Sequence, residues 1–244
     1  MPSFLKNHPF PVEAYFDRSL VLTFALPRKQ LENLVPKPLT LDTFEDKWAF
    51  VAIAMVQTRG LRPKGFPKFM GNDFFLAGYR IFVRYHNQAR KKLRGLYILK
   101  SETDKRKMKW LGNVFTHYNY TTTDISIMKE NSSEIIRSEQ SKFNIRISRD
   151  KEEISLPSTS PFRSWKEARR YAGPLPFTFT CMDENKILII EGVRSNWEPQ
   201  PVWIQDYGFE FFEELGLKDP VFASAFEVRN IPYYWKKGLI ERWN

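Results

Sequence analysis

The sequence predicts a mainly β protein, α+β by content, built as a closed or half-closed antiparallel barrel with about three short interspersed helices. Three observations carry this. Aromatic residues make up 16% of the chain, with 21 Phe, 10 Tyr and 7 Trp, which suits broad strands and an aromatic-lined cavity better than a helical bundle. Strand-like runs outnumber helical ones by about nine to three, without the regular β-α-β alternation of a doubly wound sheet. That many strands would leave open edges, and closing the sheet is the economical way to hide them.

The elements follow in order. Ser19 to Leu26 (SLVLTFAL) has strand composition, and PRKQLENLVP after it sets Leu31, Leu34 and Val35 at helical spacing before Pro36. Trp48 to Thr58 reads as a buried strand, followed by GLRPKGFPKFMG, a loop of the kind that borders a pocket. Phe74 to Tyr85 and Gly95 to Ser101 flank a basic hairpin tip. Ser101 and Asp104 fit a capping box, and Met108, Leu111 and Phe115 predict a helix over 103–116. Tyr118 to Met128 and Glu134 to Ser148 read as strands, with Phe143, Ile145 and Ile147 alternating with polar residues. Ser160-Pro161 starts a helix over 161–172 that stops at Gly173. PFTFTCM and KILIIEGV form a hairpin around Asp183-Glu184-Asn185, with Cys181 as a core residue. Trp203, Tyr207 and Phe211 predict a last helix over 202–215 ending at Gly216, and Phe222 to Val228 is the last strand.

Hydrophobic residues at 42% and charged residues at 27% exclude a disordered or fibrous chain. No composition break divides the 244 residues, so one domain over 1–244 is expected. A single cysteine excludes an intrachain disulfide and any multi-cysteine zinc site. With neither a signal-like segment nor an apolar run of membrane-spanning length, a cytoplasmic protein without membrane contact is expected. The net charge is +10, and ten Lys or Arg against Glu102 and Asp104 between Arg84 and Lys109 supply +8 of it. A solvated hairpin tip and helix start explain this; a patch for a polyanion is the sharper alternative, although no zinc-finger or RNA-binding signature accompanies it. His8, His86 and His117 are scattered, and nucleotide-binding loops are missing, so neither metal nor cofactor is expected.

Segments 74–85, 95–120, 163–177 and 187–201 together resemble the YqjF-type uncharacterised conserved bacterial family of the acetoacetate decarboxylase-like superfamily, over about residues 8–235. The resemblance implies a cone-shaped barrel with the short helices packed outside and a central cavity for a small organic anion or carbonyl compound. It also implies a Schiff-base lysine after the 103–116 helix, but the matching loop reads Thr116-His117-Tyr118-Asn119-Tyr120. Where the superfamily has a glutamate, four residues before Arg80, this chain has Leu76. Both departures argue against classical decarboxylation, which needs an unprotonated amine in the cavity.

The candidate site residues follow. His117, Tyr118 and Tyr120 could act as acid, base or carbonyl polariser, or simply form a hydrogen-bonded loop. Arg80 and Arg84 share a strand face. If that face is the cavity, Arg80 is a carboxylate clamp; if not, both arginines are solvated. Lys100 in GLYILKS would serve imine chemistry only if buried. Arg194 and Trp197 match the superfamily segment after the second hairpin and suit an anionic ligand with an apolar body, or a packed loop anchor. Two functions therefore stand, an enzyme acting on a carbonyl or carboxylate and a non-catalytic binding protein. Nothing in the sequence decides for or against a homo-oligomer.

Overall fold

The structure is a computed structural model that describes residues 3–150, 153–173, 175–182 and 185–243. Strand β1 (Val12–Pro27) leads through α1 (Arg28–Glu32) and β2 (Thr40–Leu41) to three long strands, β3 (Trp48–Pro63), β4 (Asn72–His86) and β5 (Lys92–Thr103). Helix α2 (Arg106–Phe115) precedes β6 (Tyr120–Thr122), β7 (Ser126–Glu130), β8 (Ser133–Ser138) and β9 (Phe143–Ser148). Then come α3 (Trp165–Ala168), β10 (Phe177–Met182), β11 (Lys186–Arg194), β12 (Gln200–Pro201), β13 (Trp203–Phe209), α4 (Phe211–Glu214), β14 (Val221–Trp235) and β15 (Leu239–Arg242). Fifteen strands among the described residues exceed the nine or so predicted, because short pieces pair with the ends of long ones.

Seven strands close into a ring, β1-β3-β4-β5-β10-β11-β14 and back to β1. Every pairing in it is antiparallel except β5 with β10, where Phe177 to Phe179 lie parallel to Gly95 to Tyr97. On the outside, a second sheet in the order β13-β9-β8-β7 sets Ile136, Ile145, Ile147 and Ile204 against Leu22, Phe24 and Tyr79. The middle of β1 is therefore buried on both faces, and its sequence is a continuous apolar run rather than an alternation. In β9 the expected alternation of Phe143, Ile145 and Ile147 with polar residues is present.

Charge also ties the second sheet to the ring. Arg18, 2% exposed, pairs with Glu134 of β8 and Glu227 of β14, and Arg149 bonds to both carboxylates at 3.1 and 2.9 Å. Burial pushes the Glu227 carboxyl up, but hydrogen bonds from Arg149 and Arg229 and the charge of Arg18 outweigh it and hold the group at about 2.

The predicted helix over 202–215 is a correction. Residues Trp203–Phe209 form β13, paired with β9, and only Phe211–Glu214 are helical. Spacing of i, i+4 is compatible with a helix, but β9 offers an unpaired edge and a β-bulge between Ile204 and Asp206 resets the alternation. The stop is as expected, with Gly216 at φ +64°. Helix α2 is shorter than 103–116 because Ser101 to Thr103 stay in β5, and Asp104 accepts a bond from Phe75 N at 2.8 Å instead of capping. The 161–172 segment shrinks to α3 and a 3-10 turn, capped by Ser164 rather than Ser160. Cys181 is half-buried against the core and burial pushes its thiol up to about 11. Of the second hairpin's turn, Asp183 and Glu184 lie outside the described residues. Among the described residues, no helix is long and apolar enough to cross a membrane.

Candidate functional site

A cavity of about 540 Å³ has wall residues from all seven ring strands, including Phe16, Val56, Leu76, Leu96, Thr178, Ile190 and Tyr233. It therefore lies within the ring. Met108, Leu111, Gly112 and Phe115 of α2 cover one side, and Phe66 and Met70 of the 64–71 connection between β3 and β4 form an exposed apolar rim. Further along the same strand faces, Phe162 and Tyr171 stack on Phe50 and help fill the ring. The volume is within the usual range for small-molecule sites, and the walls are mostly apolar with a few polar groups.

Arg80 is the one arginine besides Arg62 on this wall. Leu76, Gly78, Arg80 and Phe82 share the inward face of β4, while Tyr79 and Ile81 pack outward. The guanidinium folds back over Gly78, where a Cβ would lie 2.8 Å from Nη2 and 3.0 Å from Nε. Any other residue there would fill the space the cation occupies. Arg80 Nε is buried without a hydrogen-bond partner, and among the described residues no carboxylate pairs with the group. Burial lowers its pKa, partly offset by the hydroxyls of Tyr233, Tyr120 and Tyr118 around it. Arg84, on the same strand face, is instead held in an ion pair with buried Asp42, which also binds Arg94.

Tyr118 and Tyr120 reach the cavity from the loop after α2, their ring centroids 6.4 Å apart. Asn113 staples this loop: its Oδ1 accepts from Tyr120 N at 2.7 Å and its Nδ2 donates to Tyr120 O at 2.9 Å. Burial pushes both phenols up, Tyr120 to about 12, so both are neutral donors at physiological pH. A Cβ on Gly112 would lie 2.8 Å from Tyr120 Cγ and closer still to its ring edge. Gly112→Ala is therefore expected to lower the thermal unfolding midpoint, since overpacking costs about 1–3 kcal/mol and exceeds the roughly 1 kcal/mol gain in helix propensity. A raised midpoint would show that Tyr120 yields freely.

The other candidates lie elsewhere. His117 does not line the cavity and its Nε2 is 3.1 Å from Asn7 Oδ1; burial and then Lys6 lower its pKa. Lys100 lies on the outer face, 3.1 Å from Glu102 and 3.4 Å from Glu214, and 5.6 Å from the Tyr79 ring. A bulge causes this: register shifts between Tyr79 and Arg80, so Ile98 and Ser101 face inward while Lys100 does not. Arg194 and Trp197 meet in a cation–π contact of 4.6 Å, but Arg194 lines an outer groove that shares Arg62 and Tyr233 with the cavity. Leu76 presents an apolar wall where the resemblance implied a glutamate.

Two wall residues escaped the sequence reading. His8, 7% exposed, and Ser19, 2% exposed, both line the cavity, and His8 Nε2 and Ser19 Oγ lack hydrogen-bond partners. Burial lowers the His8 pKa to about 4. The only sequence signal for Ser19 was a polar residue opening an apolar strand, and for His8 there was none. Among the described residues, no group of three His, Cys, Asp or Glu side chains converges as metal ligands would.

Comparison with solved structures bears on the fold. Acetoacetate decarboxylase from Legionella pneumophila is similar with a TM-score of 0.62 and 10% identity, over 96% of this chain and 88% of that one. An acetoacetate decarboxylase-like enzyme from Sphingomonas wittichii gives 0.55 and 11%, over 98% and 94%. The enduracididine biosynthesis enzyme MppR, in complex with the condensation product of pyruvate and imidazole 4-carboxaldehyde, gives 0.57 and 10%, over 95% and 89%. At such identities the likeness establishes an acetoacetate decarboxylase-like fold. No curated protein sequence matches the chain. A family model does match, over residues 13–229, which include at least part of every strand of the ring and most of the cavity wall: the chain belongs to the DUF2071 family of uncharacterized conserved proteins.

Proposed function

We propose that this protein binds a small organic anion, a carboxylate with an apolar body, inside the strand ring. One observation carries the reading: the Arg80 guanidinium sits in an apolar cavity with no acidic partner among the described residues. An isolated buried cation is costly and is ordinarily paired, so a ligand carboxylate is the partner that the site lacks. Neutral Tyr118, Tyr120 and Tyr233 offer hydroxyl donors beside it. MppR, a fold neighbour, has been captured with pyruvate, itself a small carboxylate.

Imine chemistry has less support. Among the described residues, Lys107 is the lysine on the wall, and it is exposed, whereas imine-forming lysines are desolvated or set beside another cation. Binding without turnover, or acid–base chemistry by the tyrosines, fits the wall better. The basic 84–109 stretch is weakened as a polyanion site because Arg84 and Arg94 pair with Asp42, Lys100 with Glu102 and Lys105 with Asp104.

Titration calorimetry with octanoate tests the reading. Arg80→Gln should weaken binding by about 10- to 150-fold, the equivalent of about 1.5–3 kcal/mol for a hydrogen bond to a charged group. Equal affinity in both proteins would remove Arg80 from the site. Borohydride treatment with pyruvate should leave the protein mass unchanged, and an adduct on any lysine would replace this reading with imine catalysis.

A further inference from the structure

Three residues from different segments that line this one cavity each carry a buried polar atom without a hydrogen-bond partner among the described residues: Arg80 Nε, Ser19 Oγ and His8 Nε2. Buried polar groups are nearly always satisfied, so orphans that share a cavity mark where ligand polar atoms go. The anion reading uses only the first. His8 is the most constrained of the other two. Its backbone sits in the left-handed region at φ 52°, uncommon for a residue other than glycine. Hydrogen bonds from His8 N to Phe115 O at 3.3 Å and from Gly238 N to His8 O at 2.9 Å pin it there. The end of α2 and the C-terminal segment thus fix an imidazole against the cavity.

Register separates His8 from Arg80. Arg80 pairs with Ala52, which pairs with Thr23, deep in β1, whereas His8 and Phe10 precede the first residue of that strand. Val12, Leu61, Leu76 and Phe115 form apolar wall around them. His8 and Ser19 are not hydrogen-bonded to one another, so they do not form a nucleophile and base pair.

We propose that the ligand is an elongated organic acid with a hydroxyl remote from its carboxylate, the carboxylate on Arg80 and the hydroxyl on His8 Nε2. This rests on the carboxylate reading above and adds the second functional group. A hydroxyl is the group that fits because it both donates and accepts, and so satisfies the ring nitrogen in either tautomer. The low pKa of His8 agrees with a neutral imidazole suited to such a bond.

The test compares 8-hydroxyoctanoate with octanoate by titration calorimetry. The unaltered protein should bind the hydroxy acid about 5- to 10-fold more tightly, the worth of a net hydrogen bond of about 1 kcal/mol or slightly more. His8→Phe should erase that preference, read as the ratio of the two affinities measured in the same variant. Arg80→Gln should weaken both acids alike. Because φ at position 8 strains a substituted side chain, a variant-free measurement accompanies these: the ¹⁵N resonance of the His8 ring should shift with 8-hydroxyoctanoate and not with octanoate. Arg80-dependent octanoate binding with no hydroxyl preference overturns this inference and leaves the carboxylate reading intact. A hydroxyl preference that depends on His8 but an affinity indifferent to Arg80 does the reverse. Preference lost in Ser19→Ala and kept in His8→Phe, or an imidazole signal unmoved because water alone occupies it, overturns the assignment to His8. Binding of neither acid overturns both.

Discussion

Arg80→Met is expected to stabilise the ligand-free protein by about 1–4 kcal/mol while abolishing its response to carboxylates. A buried ion carries an effective desolvation penalty of several kcal/mol, and replacing buried charge with apolar volume is often neutral or stabilising. Among the described residues Arg80 has no carboxylate to offset that penalty, and the tyrosine hydroxyls around it are only partial compensation. Methionine is flexible enough to fill the recess over Gly78 that the guanidinium now occupies. Urea unfolding at neutral pH would give a higher midpoint for the variant without octanoate. With octanoate, only the unaltered protein would gain stability, because a ligand stabilises by binding the native state. A variant that is less stable than the parent without ligand would mean that Arg80 is structural, and the anion site would fall with it. An unpaired buried cation is a local violation of packing rules, as expected where function is kept at a cost in stability.

Arg18→Leu is expected to cost about 3–5 kcal/mol, because removing one member of a buried ion cluster strands its partners. Glu134 and Glu227 would face each other across the joint between ring and second sheet, held only by half-exposed Arg149 and by Arg229. The pH dependence identifies the cause. Glu227 is depressed to about 2 from an ordinary value of 4.5, so its contribution is present above about pH 4.5 and is lost as pH falls toward 2. The deficit of Arg18→Leu should therefore be largest near neutrality and narrow between pH 4.5 and 2 as Glu227 takes up its proton. Denaturant unfolding of both proteins at pH 7, 4 and 3 measures this. A deficit that does not change with pH would point to lost packing of the arginine stem instead.

Much of the chain was legible locally. The apolar runs of β1, β3 and β4, the alternation in β9 and the periodicity of α2 are written in side-chain spacing over ten or so residues, and backbone geometry converts spacing into face. Spacing failed at 202–215, where Trp203, Tyr207 and Phe211 fit a helix as well as a strand. What decided was the free edge of β9, contributed by residues about sixty positions away. The same parity argument put Arg80 and Arg84 on one face but could not say which face is inside.

The site divides along the same line. The residues of the 116–120 loop, Arg80, Arg194, Trp197 and Lys100 could all be picked out from the sequence, since each stands in a segment that resembles a known pattern. Their convergence could not. Arg80 turns inward because the strands beyond it close a ring through the parallel β5–β10 contact, Lys100 turns outward because one bulge shifts the pairing, and Arg194 falls one side chain outside, behind Tyr233. His8 was invisible because the segment before β1 has no periodicity, and its backbone is held by hydrogen bonds with Phe115 and Gly238, far apart in the chain. Local sequence therefore determined which segments are strands and which residues carry chemistry, because those depend on propensity and period. Only the tertiary structure decided which of them share a cavity, because ring closure, bulges and unpaired edges are set by contacts between segments that local spacing does not encode.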